Sequence, residues 1–369
     1  MRRVTAWRAM APLRVYDGVT RHDVLVPGAC VISHSGAARS CTKRVMPQRG
    51  AALLLAMLTV TLVASLAAAA LWQQWRSVAV EAAERSRVQS GWVLTGALDW
   101  ARLILREDAR SGGADHLSEP WALPLEEARM STFLAADRSN TSDSEDAFLS
   151  GQIFDLQSRL NVTNLVEANK VSEPALKAFT KLFEQLNLPP VELGQMAENL
   201  RFALDNSPEN LSKSQAYLVP QRVEQLTWLG LSETSVAALK PFVTVLPVRT
   251  GLNLNTASAE ALYASVPGLD MSGAQRIVVA RGRTHFSTLA DAGKLVPEFS
   301  GQFVEGQHSV ASRFFEVQGR LRLEQNMVME SSVLQRDGLK VTTLSRRRLV
   351  DSPEALTPES AMGRVPGRQ

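Results

Sequence analysis

The feature that most constrains this chain is a run of 25 residues, 51–75, without a charged side chain. The first 21 of them, residues 51–71, are apolar or small, and about 20 such residues cross a bilayer as a helix. A helix is the form in which every backbone polar group is bonded internally. Three basic residues precede the run: Lys43, Arg44 and Arg49. Since basic flanks stay in the cytoplasm, the sequence predicts a membrane helix with later residues on the far side, and Trp72 and Trp75 at the interface.

Three kinds of N-terminal segment fit this run. The first is a plain signal anchor, and the second is a secretory signal cleaved within residues 67–70. The third is a type III leader cut after Gly50, which leaves Ala51 as the new N-terminus. The third is favoured because the helical pattern continues without proline to about Arg110. About 60 residues make a helix of ~90 Å, with an apolar first half and an amphipathic second half. A membrane span followed by a separate surface helix is the alternative.

The amphipathic half of this predicted helix carries a set of apolar residues separated by charged ones. We expect this half to pack on a folded domain. The apolar positions are Val78, Ala82, Val88, Trp92, Ala97, Trp100 and Ile104.

Charge and cysteine are concentrated before the apolar run. Residues 1–50 hold nine basic and two acidic side chains, a net of +7, so the rest of the chain holds 31 basic and 35 acidic side chains, a net of −4. The basic isoelectric point is therefore a poor argument for a nucleic-acid partner. Cys30 and Cys41 are the two cysteines. Without them the chain has no thiol, which excludes a disulfide framework or a cysteine-bound metal.

Past the helix, residues 111–150 read as irregular, with one strand predicted at residues 128–135. The segment GQIFDLQSRLNVTNL (residues 151–165) follows. Its apolar side chains alternate with polar ones from Ile153 to Leu160, which predicts a strand ending in a turn or helix cap near Asn161.

Residues 172–301 predict a mainly helical region. Ser172 is placed as a helix N-cap with Pro174 in the first turn. Two later stretches, residues 223–243 and 262–279, share a shape: a short helix, a Gly-Leu turn and a second helix. Both are similar to helix-hairpin-helix units.

From His308 onward apolar and polar residues alternate, which predicts strands. The stretches at residues 328–333 and 339–344 flank an Asp337-Gly338 turn and predict a hairpin. The new strands are expected to join the strand that begins at Gly151 and to pack on the long helix. Residues 350–369 are rich in Pro and Ser and predict a disordered tail.

Together these parts resemble a K-type minor pseudopilin of the type II (general) secretion pathway. The resemblance covers residues 46–349 and rests on a short leader (residues 46–50), the long helix, a Gly-x-Ile-x-Asp strand from Gly151 to Asp155, the helical region and the closing strands. The fifth residue after the predicted cleavage is Leu55, where most pilin-like subunits have Glu. The K-type subunit is the one that typically lacks this Glu.

The resemblance implies an α+β fold: a pilin-like long N-terminal helix packed on an antiparallel sheet, with a large inserted all-α domain built from sterile-alpha-motif-like or helix-hairpin-helix-like units. Its expected parts are a leader, the membrane half of the helix, the pilin-like helix with the first strands, the insert, the closing strands and a tail. Their boundaries are residues 1–50, 51–75, 76–165, 166–305, 306–349 and 350–369. Residues 1–45 have no visible purpose, and we hypothesise that translation begins at Met46.

By the same resemblance, the chain would sit in the bacterial inner membrane with its C-terminal domain in the periplasm. Its expected partners are the I- and J-type minor pseudopilins, the major pseudopilin and prepilin peptidase. It would lie at the pseudopilus tip, initiate assembly and limit fibre growth for the export of folded proteins. Gly50 and Ala51 would be the processing site and Leu55 an assembly position.

A rival hypothesis is a membrane-anchored helix-hairpin-helix protein that binds DNA. The second hairpin resembles the DNA-binding hairpins of competence-type receptors, in which a Gly-hydrophobic-Gly turn aims backbone N–H groups at a phosphate. Here Asp270 replaces the second glycine, and Ser232 replaces it in the first hairpin. A carboxylate facing a phosphate would repel it. We therefore expect packing modules and no nucleic-acid partner.

No catalytic constellation stands out, so we expect a structural protein and not an enzyme. K-type proteins can bind calcium in the helical insert through clustered acids. Asp205 and Glu209 form the local acidic cluster that most resembles such a site, and a solvated loop is the alternative.

Overall fold

The computed structural model describes residues 49–129, 147–205, 207, 217–323 and 326–349. Within this part of the chain, α1 spans Arg49–Ser111. The main strands are β1 (Leu125–Arg129), β2 (Ala147–Asp155), β3 (Phe314–Leu323), β4 (Asn326–Asp337) and β5 (Lys340–Leu349). The helices between β2 and β3 are α2 (Glu173–Gln185), α3 (Pro190–Leu204), α4 (Glu233–Leu239), α5 (Ala259–Ser265), α6 (Met271–Arg281) and α7 (Leu289–Leu295). Residues 1–48, most of the predicted strand at 128–135 and the predicted tail lie outside the described residues.

Shorter elements complete this description. The 3₁₀ helices are Pro120–Ala122, Leu156–Ser158, Val162–Leu165, Val223–Leu229 and Pro297–Gln302. The two-residue strands are Leu160–Asn161, Val166–Glu167, Lys170–Val171, Val243–Thr244, Leu252–Asn253 and His308–Ser309.

The first part of α1, residues 50–71, has exposed apolar side chains on every face. Its few hydroxyl groups bond within the helix: Thr59, Thr61 and Ser65 each donate to a carbonyl oxygen three residues earlier, at 2.9–3.0 Å. Internal bonding of this kind is what a hydrocarbon environment requires. By length and composition, α1 is the one helix of the described residues that could cross a membrane.

The later part of α1 packs on the sheet through a buried stripe with helical spacing. The stripe consists of Leu94, Leu98, Ala101 and Leu105. Its neighbours include Ile153 on β2, Phe315 on β3 and Leu334 on β4. The spacing of four, three and four residues keeps these side chains on one face. The predicted packing of an amphipathic helix on the sheet is therefore confirmed.

The packed face of α1 matches the predicted apolar positions only in part: Ala97 and Ile104 pack against the core, but other predicted positions are exposed. Trp92 is 73% exposed and Val88 56% exposed, and Trp100 is 49% exposed. The Leu and Ala residues of the buried stripe lie on the opposite side of the helix. Leu98, Ala101 and Leu105 share one buried cluster with Phe315 of β3.

The five main strands form an antiparallel sheet in the order β1-β2-β3-β4-β5. The predicted hairpin is confirmed, since β4 and β5 pair across a turn at Gly338, where φ is +56°. β2 pairs with β3 in a register that sets Gly151 opposite Gly319. A Cβ atom on Gly151 would lie 2.8 Å from the carbonyl oxygen of Gln318, so the first glycine of the Gly-x-Ile-x-Asp string is a steric requirement of the sheet.

The strand predicted to run to Leu160 ends at Asp155. The Asp155 carboxylate accepts a hydrogen bond from the backbone N–H of Gln157 at 2.7 Å and begins a 3₁₀ turn, Leu156–Ser158. The predicted cap at Asn161 is confirmed, because its side chain accepts from Thr163 N at 3.1 Å. The chain leaves the sheet here because a side-chain acceptor at a strand end competes with the ladder.

The segment between β2 and β3 has its own core, which includes Phe179, Phe183, Met196 and Leu229. The predicted helix start is confirmed, with Ser172 as the N-cap of α2 and Pro174 in its first turn. Both predicted hairpins are present: Val223–Leu229 with α4, and α5 with α6. In the first, the leading helix is 3₁₀.

Candidate functional site

The predicted processing residues lie in the first turns of α1. A Cβ atom on Gly50 would meet no atom within 4 Å, so the fold does not require glycine at this position. Leu55 is 65% exposed. The first turn of α1 contains no acidic residue. Cleavage between Gly50 and Ala51 and the assembly role of Leu55 stay predictions.

A buried polar network lies where the helical segment leaves and re-enters the sheet, and Asp155 at the end of β2 is its centre. Thr256 Oγ1 and Ser312 Oγ each donate to Asp155 Oδ2 at 2.6 Å. Asn253 Nδ2 donates to the same oxygen at 3.1 Å. Burial raises the pKa of Asp155 to about 6, although the hydrogen bonds from Ser312, Thr256 and the Gln157 backbone oppose the shift. One carboxylate thus joins the sheet, the segment before the second hairpin and the segment entering β3.

Arg336 on β4 extends this network towards α1. Its guanidinium donates to Asp108 Oδ2 and to Asp115 Oδ1 at 2.5 Å, and to the carbonyl oxygen of Ser312 at 2.8 Å. Asp115 Oδ2 accepts from the backbone N–H of Ser312 at 2.6 Å. Burial raises the pKa of Asp108 and of Asp115, and Arg336 opposes both shifts. The ion pairs therefore hold the end of α1 against both β4 and the segment before β3.

Three carboxylates of this region come close enough to be considered for a metal. Ligand atoms of Asp108, Asp115 and Glu119 lie within 4.8 Å of one another. Two of the three carboxylates are already paired with Arg336, and Glu119 Oε2 accepts from Trp121 Nε1 at 2.7 Å. A cation would therefore have to displace existing partners. In this structure the three carboxylates therefore bind side chains of the chain itself.

The calcium prediction concerns a different region. Asp205 is the C-cap residue of α3, and its Oδ1 accepts from the backbone N–H of Ser207 at 3.0 Å. Glu209 lies outside the described residues. Calcium binding by Asp205 and Glu209 stays a prediction.

The hairpin turns use the positive φ that a Gly-Leu turn provides, +103° at Gly230 and +77° at Gly268. At the second turn, the backbone N–H of Gly273 donates to Asp270 Oδ1 at 2.7 Å. At the first, the N–H and the hydroxyl of Ser232 lie 3.3 and 3.4 Å from Glu192 Oε2. Backbone donors that a phosphate would need are thus engaged by the chain's own carboxylates.

The side chain of Lys181 on α2 binds backbone carbonyl groups of the second hairpin. Its ammonium donates to the carbonyl oxygens of Val266 at 3.0 Å and Leu269 at 3.2 Å, and also to that of Tyr263. It lies 4.2 Å from the centroid of the Tyr263 ring. Burial lowers the pKa of Lys181, and Glu184 opposes this shift. The side chain provides the cation that three converging carbonyl groups require.

We expect Lys181→Met to lower the free energy of unfolding by about 2–3 kcal/mol, because three carbonyl groups lose a charged donor. The matched control is Lys177→Met one turn earlier on α2. Lys177 pairs with Glu173 on the surface, so its loss should cost under ~0.5 kcal/mol. Urea unfolding of the full chain in a mild detergent measures both values. Equal effects of the two substitutions would contradict this role of Lys181.

The three described histidines are not close together as one group: His116 and His285 are paired, and His308 lies apart from them in the interior. His116 and His285 stack with ring centroids 3.9 Å apart, and burial lowers the pKa of His116. His308 is 2% exposed, and neither ring nitrogen has a hydrogen-bond partner within the described residues.

The chain matches known proteins over both the sheet and the helical segment. Two family models, each described as type II secretion system (T2SS) protein K, match residues 158–248 and 252–311. Type II secretion system protein K of Pseudomonas aeruginosa is 29% identical over 323 residues, which is 81% of this chain and 92% of that protein. Its counterpart from Klebsiella pneumoniae is 28% identical over 269 residues, 66% of this chain and 78% of that protein.

The fold is also similar to a solved structure, the GspK–GspI–GspJ complex of the type 2 secretion system of enterotoxigenic Escherichia coli. The match to one of its chains has a TM-score of 0.52 at 16% identity and covers 73% of this chain and 99% of that chain. At this identity the similarity concerns the fold alone.

The long apolar helix, the sheet that packs on its later part and the helical segment inserted between β2 and β3 define a pilin-like subunit with an all-α insert. The family matches identify it further. They support a K-type minor pseudopilin of the type II secretion system.

Proposed function

We propose that this chain is the tip subunit of a pseudopilus, where it assembles with I- and J-type minor subunits. The observation that carries the proposal is the insert between two adjacent strands, β2 and β3, which the buried Asp155 network attaches to the sheet. An insert held this firmly would allow subunits to pack beneath it and would block addition above. The similar fold found in a GspK–GspI–GspJ complex supports the choice of partners.

We propose further that α1 anchors the chain in the inner membrane and that the residues after about 75 lie in the periplasm. The basic residues before the apolar run support this orientation. Leu55 supports the tip position, because a subunit with no neighbour below its N-terminal amine has no use for a buried Glu, which is costly in lipid when unpaired. The major pseudopilin would then add below this subunit.

The role that fits these features is structural. The relatives are named as components of a secretion system, and the buried charged side chains of Asp115, Asp155 and Arg336 join parts of the fold. We therefore infer assembly and growth control of the fibre, in support of protein export, as the function and not catalysis.

Processing after Gly50 by prepilin peptidase gives a direct test. We expect Gly50→Val to abolish the mature form, because the peptidase must accept the residue before the cleaved bond. The control is Gly96→Val, since Gly96 also lies in α1 with no atom within 4 Å of a Cβ position. Intact mass should give a wild-type chain and a Gly96→Val chain that both begin at Ala51. A Gly50→Val chain with the same mass and normal secretion would overturn the proposal.

A further inference from the structure

An open groove of about 550 Å³ lies between α1 and the end of β5. One wall is formed by α1 residues, including Arg87, Val88 and Trp92, and the other by Arg346, Arg347 and Arg348. None of these residues belongs to the Asp155 network or to the membrane part of α1. The groove is therefore a surface whose role the fold does not explain.

The apolar part of the groove is unusually exposed for a helix that packs on a sheet. Trp92 is 73% exposed and Val88 is 56% exposed, and the two side chains are one helical turn apart. They lie on the side of α1 away from the buried stripe. Exposed tryptophan is typical of residues that carry binding energy in protein interfaces.

The groove is positively charged on a part of the chain that is otherwise mildly acidic. Its walls carry four arginines against two glutamates, Glu84 and Glu330, a net of +2. Glu330 is already paired with Arg346, whose guanidinium also donates to Thr95 Oγ1 at 2.9 Å. The sequence after Gly50 has a net charge of −4. The net charge of the groove is therefore positive, whereas the net charge of the sequence after Gly50 is negative.

Two of the four arginines remain available to a partner. Arg87 and Arg348 are exposed, and their guanidinium groups make no hydrogen bond or ion pair within the described residues. Gly91 leaves room for Arg348, whose Nη2 lies 3.5 Å from the position of a Cβ atom on that glycine. Arg347 approaches Glu224 and Glu316 only at 3.9 and 4.0 Å. Two free guanidinium groups beside an exposed tryptophan fit carboxylates that flank an apolar side chain.

The position of the groove along α1 argues for a protein rather than a lipid. Trp92 follows Trp75 by 17 residues, which is about 26 Å of helix. The headgroup layer on one side of a bilayer is only about 6 Å thick. If Trp75 lies at the interface, anionic headgroups are too far away to reach the groove.

We propose that this groove docks an acidic segment of a neighbouring pseudopilin subunit, with an apolar side chain of that segment against Trp92. The proposal rests on the proposed function, which supplies the neighbouring subunits, and adds the surface and the chemistry of contact. Long-range attraction to the arginines would speed association, and Trp92 would slow dissociation.

Photo-crosslinking identifies the occupant. The full chain carries benzoylphenylalanine in place of Trp92 and is expressed with the I- and J-type subunits of its own secretion system. The control carries it in place of Trp228, which is 46% exposed in the insert. We expect the first probe alone to capture a peptide of another subunit with more acidic than basic residues. A neutral or basic peptide, lipid, a second copy of this chain or its own residues 350–369 would overturn the proposal.

Charge reversal tests the arginines. We expect the double variant Arg87→Glu and Arg348→Glu to reduce the recovery of the I- and J-type subunits with the full chain by at least ~10-fold, and wild-type recovery to fall as salt rises. The matched control reverses Arg106 and Arg276, which are exposed on α1 and α6 outside the groove. Full recovery with the groove variant would overturn the groove and leave the proposed function intact. Failure of the wild-type chain to capture either subunit would overturn both.

Discussion

Replacing Arg336 with methionine is expected to lower the free energy of unfolding by about 3–5 kcal/mol, the cost of breaking a buried ion pair by removing one partner. The guanidinium is the shared cation of Asp108 and Asp115, and all three side chains are at most 11% exposed. Methionine keeps contact with Phe315, whose ring lies 4.8 Å from the guanidinium carbon. The expected loss therefore reports on the charges and not on the packing.

Arg313→Met provides the matched control, because Arg313 pairs with Asp337 on the surface, with both side chains about half exposed. Its loss should cost no more than ~1 kcal/mol. A second readout is pH. Without Arg336 the two carboxylates of Asp108 and Asp115 have pKa values raised further, so the Arg336→Met chain should regain stability relative to wild type as the pH falls and they become neutral. Equal losses in both variants, or a difference independent of pH, would contradict the structural role of the ion pairs.

The sequence predicted those parts of the fold that local patterns determine. The long helix, the hairpin at Gly338 and the two helical hairpins each follow from residues that are close in the chain. The buried face of α1 was not predictable in this way. Trp92 and Leu94 are both apolar residues in a helical pattern, and which of them is buried depends on β3 and β4, more than 200 residues later.

The buried polar network was likewise not predictable from local sequence patterns. The Gly-x-Ile-x-Asp string resembles a family pattern, but nothing local indicates that Asp155 meets Thr256 and Ser312, which follow it by 101 and 157 residues. Arg336 is one of many arginines in a stretch with strand periodicity, and Lys181 is one of two lysines on α2. Their roles depend on which distant carbonyl or carboxylate groups the folded chain brings to them.

The second large effect that we expect is a pair of opposite pH dependences at the junction of the sheet and the insert. Burial raises the pKa of Asp155 from 3.8 to about 6. Its contribution to stability is therefore complete below pH 4 and is lost as the pH rises through 6, a change of about 3 kcal/mol. The nearby carboxylate of Asp115 adds to this shift.

His308 has the opposite sign. Burial lowers its pKa from 6.5 to about 4, and the nearby backbone carbonyl groups of Val304 and Ser265 oppose part of this shift. The neutral imidazole is compatible with its site and the charged one is not. Stability from this residue is complete above pH 6.5 and is lost as the pH falls towards 4, again by about 3 kcal/mol. Between pH 4 and 6 the two contributions therefore change in opposite directions by similar amounts.

Single substitutions should separate these contributions. In Asp155→Asn the histidine remains, so we expect the free energy of unfolding to fall by about 3 kcal/mol, relative to the wild-type profile, as the pH is lowered from 6.5 to 4. In His308→Gln the aspartate remains, and stability should rise by a similar amount over the same range. Urea unfolding of the full chain in detergent at each pH measures both slopes. The slopes are the readout, because the hydrogen bonds lost in Asp155→Asn and the packing lost in His308→Gln lower stability at every pH alike. Profiles parallel to that of the wild-type chain would mean that neither group titrates in this window, and that the junction is held by packing and fixed charges alone.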